Sequence, residues 1–323
     1  MSELNRRAFI RNAAFVSLTA GAVSGGAAGL QAAQTKPRKM TMNLVCGNLG
    51  FSATQIEAID LAARHGFESV EVNAPYLGSL SEEPLAELKA SMKAKAITFG
   101  AAGLPVDFRQ DEGRFQQGLK SLPAFAAGLR RAGVDRAGTW LMPCHDQLPY
   151  LRNFRQHAAR LGAVAAVLRD HGVRLGLEYV APKTSWTSRR YPFIHTMAEM
   201  KELLAEMNAG NVGFVLDSWH WWHAGDSAAD VLSLKGTDVV AVDLNDAPAG
   251  IPKDRQVDNR RELPCATGVI DVGAFLNALN QIGYDGPVRA EPFNHLVNQM
   301  GKEEACAAAA QALKKAFALI EAA

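Results

Sequence analysis

Residues 212–217 read VGFVLD, an unbroken apolar run that ends on an acid, and the same plan returns at 173–178 (VRLGLE), 239–243 (VVAVD) and 287–291 (PVRAE). Short runs that are apolar at successive positions suit strands covered on both faces, which is the situation of a parallel sheet. Four more candidates precede them along the chain: MNLVC at 42–46, ESVEV at 68–72, AITFGA at 96–101 and AGTWLM at 137–142. Between the runs lie segments with apolar residues three and four apart, such as Leu161, Val164, Val167 and Leu168, which is helical spacing. Thr54 or Ser52 can cap the first helix, and Gly66, Gly133, Gly172 and Gly283 follow helical patterns just before the next strand, where a glycine ends a helix.

Eight strand–helix units in this order predict an α/β fold, a single (β/α)8 TIM barrel over residues 42–323, because closing a parallel sheet on itself removes its edges and the handed connections leave few other layouts. Its 323 residues, 48% apolar and 21% charged, carry enough core-forming side chains to exclude disorder. With 34 Lys+Arg against 33 Asp+Glu and no long basic run, the chain lacks the clustered cations a nucleic-acid partner needs. Cys46, Cys144, Cys265 and Cys306 form no C-x-x-C pair and no zinc-like spacing, and read as buried thiols.

The first 33 residues read differently. NRRAFIR at 5–11, followed by an Ala/Gly/Ser-rich stretch to about Ala33, resembles a twin-arginine export signal, with a cut near Ala32–Ala33 and a short linker at 34–41. Its glycines make the stretch a poor spanning helix, so removal and a periplasmic mature protein are expected, without a permanent membrane anchor. The twin-arginine route carries folded proteins, often with a cofactor inserted.

Strands five to eight each end on an acid: Glu178, Asp217, Asp243 and Glu291. Any one of these could cap the following helix. Four on neighbouring strand ends, about 5 Å apart across a sheet, converge on the barrel mouth, where active sites of this fold are built. Their repulsion is relieved by protons or by a divalent cation, and the cation is the better answer for four anions. All-oxygen donors favour Mn²⁺ or Mg²⁺, with Co²⁺ or Zn²⁺ next, zinc preferring a nitrogen. Long insertions at 143–152, 179–197, 218–227 and 244–270 fall on the same side of the barrel.

These residues resemble the xylose isomerase-like TIM barrels of the sugar phosphate isomerase and epimerase superfamily, and the resemblance covers about residues 42–320. It implies that Glu178, Asp217 within D-x-x-H, and Glu291 hold the metal, with His220 completing the motif. At strand seven the family's H-x-x-D run stands here as Asp243-Leu244-Asn245-Asp246, so an aspartate takes the histidine position; Asp243 is the expected ligand and Asp246 the alternative, unless it holds the following loop. The resemblance also nominates Glu178 and Glu291 as proton carriers in a reaction that removes a proton next to a carbonyl through a metal-bound enediolate. His220, Lys183, Arg261 and Trp186 are candidates for binding substrate, against the alternative that Lys183, Arg260 and Arg261 are solvated loop cations. Trp219, Trp221 and Trp222 serve a sugar-facing wall, a lid or a subunit contact of a homo-oligomer equally well, and His145, His195 and His223 read as structural. Without a glycine-rich phosphate nest the substrate reads as a small, unphosphorylated sugar or keto-sugar. The rival readings are a metal-dependent lyase or hydratase of a 3-keto-glycoside, a non-catalytic periplasmic carbohydrate-binding barrel and, last, a nuclease.

Overall fold

The structure, a computed structural model, describes residues 38–320; the export signal read in residues 1–33 lies outside the described residues. Eleven strands occur among the described residues, nine of them in one parallel sheet. Those nine are β1 (Thr41–Leu44), β2 (Ser69–Val70), β3 (Thr98–Phe99), β4 (Ala102–Gly103), β5 (Arg136–Trp140), β7 (Arg174–Glu178), β9 (Val212–Asp217), β10 (Val239–Leu244) and β11 (Pro287–Ala290). The remaining two, β6 (Cys144–His145) and β8 (Tyr191–Pro192), form a small antiparallel pair.

The sheet runs in the order β3-β2-β1-β11-β10-β9-β7-β5-β4. Of its two end members, β3 lies within the run predicted at 96–101 and β4 begins one residue past it, the two being separated only by Gly100 and Ala101, so the ladder that begins with β3 returns through β4 and the barrel closes. At the break, Asn43 Oδ1 of β1 reaches toward Gly100, where a Cβ would stand 2.5 Å from it, so glycine is required there, and Gly100 N still donates to Val70 O at 2.8 Å. The other predicted runs become strands with their ends moved by one or two residues, VGFVLD without any shift.

The helical punctuation is also visible. Thr54 Oγ1 accepts from Glu57 N at 3.2 Å at the start of the helix Gln55–His65. Gly66, Gly133, Gly172 and Gly283 all take left-handed φ between 71° and 81°, the first two as helix caps and the others one residue beyond them. Most of the apolar core lies between the sheet and the surrounding helices, while a small separate cluster of Ala101, Val215 and Ala241 fills the barrel lumen. All four cysteines are free, three of them buried. No described helix is long and apolar enough to cross a membrane.

Above the lumen plug the loops are tied together. β6 and β8 belong to the insertions after the fourth and fifth predicted strands and clasp them by pairing Cys144 with Pro192 and His145 with Tyr191. The long loop after β10 is folded back by reciprocal 2.9 Å backbone bonds between Asp246 and Glu262.

Candidate active site

Strand register determines which side chains meet. Asp217 lies opposite Asp243, and Asp243 opposite Arg289, so these three share one layer across β9, β10 and β11. Glu291 is two residues beyond Arg289, on the same face and one step closer to the mouth, because side chains along a strand alternate with period two. Glu178 ends β7 opposite Trp140 of β5. Two residues earlier, Gly176 leaves room for the plug: a Cβ there would stand 2.8 Å from Val215 Cγ2.

The four predicted acids are therefore brought together. Donor atoms of Glu178, Asp243 and Glu291 lie within 4.8 Å of one another, and so do those of Glu178, Asp217 and His220. Asp217 and Asp243 are 1% and 0% exposed and form the floor, while Glu178, Glu291 and His220 line a cavity of about 560 Å³ with Asp258, Arg261 and Phe293.

The sequence reading offered protons or a cation to balance these acids; two guanidiniums share that task. Arg261, buried beneath the loop, donates from Nη1 to Asp217 Oδ2 at 2.7 Å and to Glu291 Oε2 at 2.9 Å, and from Nη2 to Asp258 Oδ1 at 2.9 Å. Arg289 grips Asp243 with Nε on Oδ1 and Nη2 on Oδ2, the second bond being 2.8 Å. Such forked pairs suit guanidinium geometry. Five acids against two arginines still leave excess negative charge if all ionise.

The titration of the acids reflects this. Burial, reinforced by Asp243, Glu291 and Asp217, pushes the Glu178 carboxyl well above its ordinary range. Burial and Asp243 raise Glu291 to about 8 against the pull of both arginines. Asp217 rises to about 7, again chiefly through burial, although Arg261 opposes the shift. Burial drives the His220 imidazole down to about 3, so it is neutral at ordinary pH. Ala181 N–H lies 3.3 Å from His220 Nδ1, and Arg261 Nη2 lies 3.4 Å from its Nε2, which faces the acids.

A divalent cation fits this donor set. Glu178 Oε1 is buried without any hydrogen-bond partner, an expensive state for a carboxylate oxygen, and it belongs to both clusters. Metal–oxygen distances of about 2.0–2.6 Å allow donors up to roughly 5 Å apart around one ion. Asp243 keeps lone pairs beyond the two that Arg289 uses. The imidazole adds the nitrogen that the sequence reading lacked at strand seven.

Asp246 has other employment. Its Oδ1 accepts from Ala247 N and Ile270 N at 2.8 and 3.0 Å, and its Oδ2 from Thr267 N and Gly268 N at 2.9 and 2.7 Å. A carboxylate filled by four backbone donors holds the loop and has nothing left for an ion. Lys183 and Trp186 are not brought to the site: they belong to the short helix Lys183–Trp186, where Lys183 Nζ lies 3.8 Å from Asp254 and Trp186 stacks on His195.

Sequence reasoning missed Arg289, Asp258, Asn245 and Trp140. Arg289 was legible, since the two-residue period of PVRAE puts it on the face of Glu291. Asn245 bridges the cluster, donating to Asp217 Oδ1 at 2.9 Å and accepting from Glu291 N at 3.0 Å. Asp258 sits in a loop without periodicity, and Trp140 looked like a core residue although it is 42% exposed.

Comparisons with known proteins agree with this architecture. The sequence pattern of the xylose isomerase-like TIM barrel matches residues 59–316. An inosose isomerase of Bacillus velezensis is 22% identical over 252 residues, spanning 76% of this chain and 86% of that protein. The solved structure of a xylose isomerase domain protein from Alicyclobacillus acidocaldarius superimposes with a TM-score of 0.76 at 31% identity, covering 87% of this chain and 99% of that one. The IolI protein, solved with a bound zinc atom, gives a TM-score of 0.72 at 21% identity over 88% of this chain and 100% of its own.

Proposed function

Because this chain belongs to the xylose isomerase-like TIM barrel family, we propose that it is a divalent-metal-dependent isomerase or epimerase that moves a proton next to the carbonyl of an unphosphorylated sugar or keto-sugar. The observation that carries the reading is the pair Glu178 and Glu291, two carboxyls that line one cavity with donor atoms within 4.8 Å of each other, both shifted upward by burial. A base is most effective when its pKa lies near the working pH, because it then both takes and returns a proton. Glu178 would receive the proton from carbon on whichever carboxylate oxygen the cation leaves free. Glu291, three strands away along the sheet, returns a proton to the neighbouring carbon or to the other face of the same one.

Arg261 orients Glu291 through its 2.9 Å bond and lowers the cost of a second negative charge in the cavity. His220 turns Nε2 toward the acids, 3.9 Å from Glu178 Oε1 and 3.8 Å from Asp217 Oδ2, where it adds a nitrogen to their oxygen donors. Glu178, Asp217, Asp243, Glu291 and His220 would hold the cation, which when bound polarises the carbonyl and its adjacent hydroxyl so that the shared C–H is more acidic. Manganese is the first candidate for a mainly carboxylate site, and the imidazole makes zinc a second.

The name of the inosose isomerase relative supports a ketone on a polyhydroxylated ring as the kind of substrate. The test is exchange of solvent deuterium into D-fructose and into a free inosose by the Mn²⁺-loaded protein, with Glu178→Gln and Glu291→Gln alongside. Isomers of unchanged heavy-atom composition carrying deuterium at carbon, lost in both variants, are the expected result. Equal, negligible exchange in all three proteins would remove the catalytic reading. Release of an aglycone, or gain of water, would instead make the protein a lyase or hydratase. Export through the twin-arginine route rests on residues 5–11 and the stretch after them. Fractionation of a strain carrying Arg6→Lys and Arg7→Lys tests it, with retention in the cytoplasm expected and unchanged export refuting it.

A further inference from the structure

The cavity over Glu178 and Glu291 does not stop at the acids. A second cavity of about 740 Å³ adjoins it, and Trp140, Met142 and Arg189 line both. Pockets of roughly 300–1,000 Å³ enclose drug-sized molecules, so the 560 Å³ of the first is enough for one sugar ring and the pair is oversized for it.

Trp140 stands at the junction. Its register partner is Glu178, and its ring, 42% exposed, is left in water although an indole is costly to leave there. The ring is also held still. The Arg109 guanidinium carbon lies 4.3 Å from the ring centroid of Trp140, with Nη2 donating to the Trp140 carbonyl and, at 2.9 Å, to Thr139 Oγ1. Arg109 packs its other contact on the buried ring of Phe108, also at 4.3 Å. Arg109, itself part of the lining of the second cavity, covers one face of the ring; what stays exposed is a stacking surface prepared in advance, and sugar rings offer it the apolar C–H faces that aromatic walls accept.

The rest of the second cavity suits hydroxyls rather than an anion. Gln110, Gln147 and Gln156 line it with side-chain amides. Arg160 is spent on Phe108 O, Gln110 O and Glu112, at 2.8, 2.7 and 2.8 Å, Asp107 acts on Arg109, and Asp146 lies 3.8 Å from Arg189.

We propose that the substrate is a glycosylated keto-sugar of two rings, with the reacting ring over Glu178 and Glu291 and the second ring stacked on Trp140 in the adjoining cavity. The assignment of the reacting ring rests on the isomerase or epimerase reading; the existence of the second subsite does not.

The test is calorimetric titration of the full-length, Mn²⁺-loaded protein with D-fructose and with three glucosyl-fructoses, maltulose, leucrose and isomaltulose, which differ only in linkage. At least one disaccharide should bind about tenfold more tightly than fructose, the gain of one stacked ring. Trp140→Ala should abolish that advantage. Gln156→Trp, a helix-surface change that fills the second cavity, should abolish it while leaving fructose affinity within about twofold, and it keeps the test decisive if the first variant fails to fold. No preference for any of the three disaccharides, absence of binding by all four sugars, or parallel losses for fructose and disaccharide in the Gln156 variant would overturn the proposal. Deuterium exchange measured on the same samples separates the two readings: exchange without a disaccharide preference sinks the second subsite alone, and preference without exchange sinks the isomerase reading alone.

Discussion

Replacing Arg289 by Met should destabilise the metal-free barrel and at the same time tighten its hold on Mn²⁺. Asp243 is 0% exposed, and both its oxygens are satisfied by the Arg289 guanidinium. Met matches the length of the stem and removes both donors, which leaves a buried carboxylate with no cationic partner. Breaking a buried pair from one side costs about 3–5 kcal/mol. The Arg289 side chain is 24% exposed, so water can take up part of the loss and the lower end, about 3 kcal/mol, is the expectation. An unfolding entropy of about 0.6 kcal/mol/K, appropriate to a barrel of roughly 280 residues, turns this into a Tm lowered by about 5 °C. Removing Arg289 also returns two lone-pair positions of Asp243 to an incoming ion. A tenfold gain in Mn²⁺ affinity would restore about 1.4 kcal/mol at saturating metal, or roughly 2 °C. Circular dichroism melts in chelator and in excess Mn²⁺ read both parts. The double variant Arg289→Met with Asp243→Asn should be more stable in chelator than Arg289→Met alone. A double variant no more stable than the single would refute the assignment of the loss to the pair.

Asp243→Asn alone should lower Mn²⁺ affinity by about tenfold with the barrel still folded, read by metal titration; unchanged affinity would move the binding to the cluster of Glu178, Asp217 and His220. Asp246→Asn should cost about 2–4 kcal/mol in urea melts, because an amide nitrogen cannot accept two of the four backbone bonds, while leaving Mn²⁺ affinity alone in the folded protein; weakened metal binding would return it to the ligand set. For pH, Glu291 titrates near 8 when folded against 4.5 as a free side chain, so between those values the folded state binds the extra proton and stability falls as pH rises. In chelator, the wild type should therefore lose on the order of 3 kcal/mol relative to Glu291→Gln between pH 5 and pH 8.5. A gap between the two proteins that stays constant across this range would contradict the burial of an uncompensated acid.

The fold was legible because barrel strands carry a strong local mark. VGFVLD and VVAVD are apolar up to their acids and VRLGLE is so apart from Arg174, and the acid that closes each run stands at or one residue before the end of its strand. The third strand was read as one run at 96–101; its pairing with β2 at Thr98–Phe99 and with β5 at Ala102–Gly103, one residue past that run, depends on distant partners that no local pattern marks. At the site, strand residues were easier to place than loop residues. Lys183 and Trp186 follow Glu178 closely in sequence, yet the short helix they form carries them to Asp254 and His195. Arg261, 83 positions after Glu178, arrives at the centre because its own N–H donates to Pro292 O at 3.2 Å, and Asn294 Nδ2 donates to its carbonyl at 3.1 Å. Such long-range anchoring leaves no periodic trace.

The divided third strand has a consequence for how the barrel breathes. Around the ring, the gap at Gly100 and Ala101 faces β10, while the acids are carried by β7, β9, β10 and the end of β11. The ladders on either side of that gap hold two residue pairs each, as does that of β1 with β2, so transient opening starts on this side of the ring, away from the acids. Amide protons of Phe99 to Gly103 should then exchange with solvent sooner than those of β9 and β10, and the carboxylates keep their spacing while the opposite side yields.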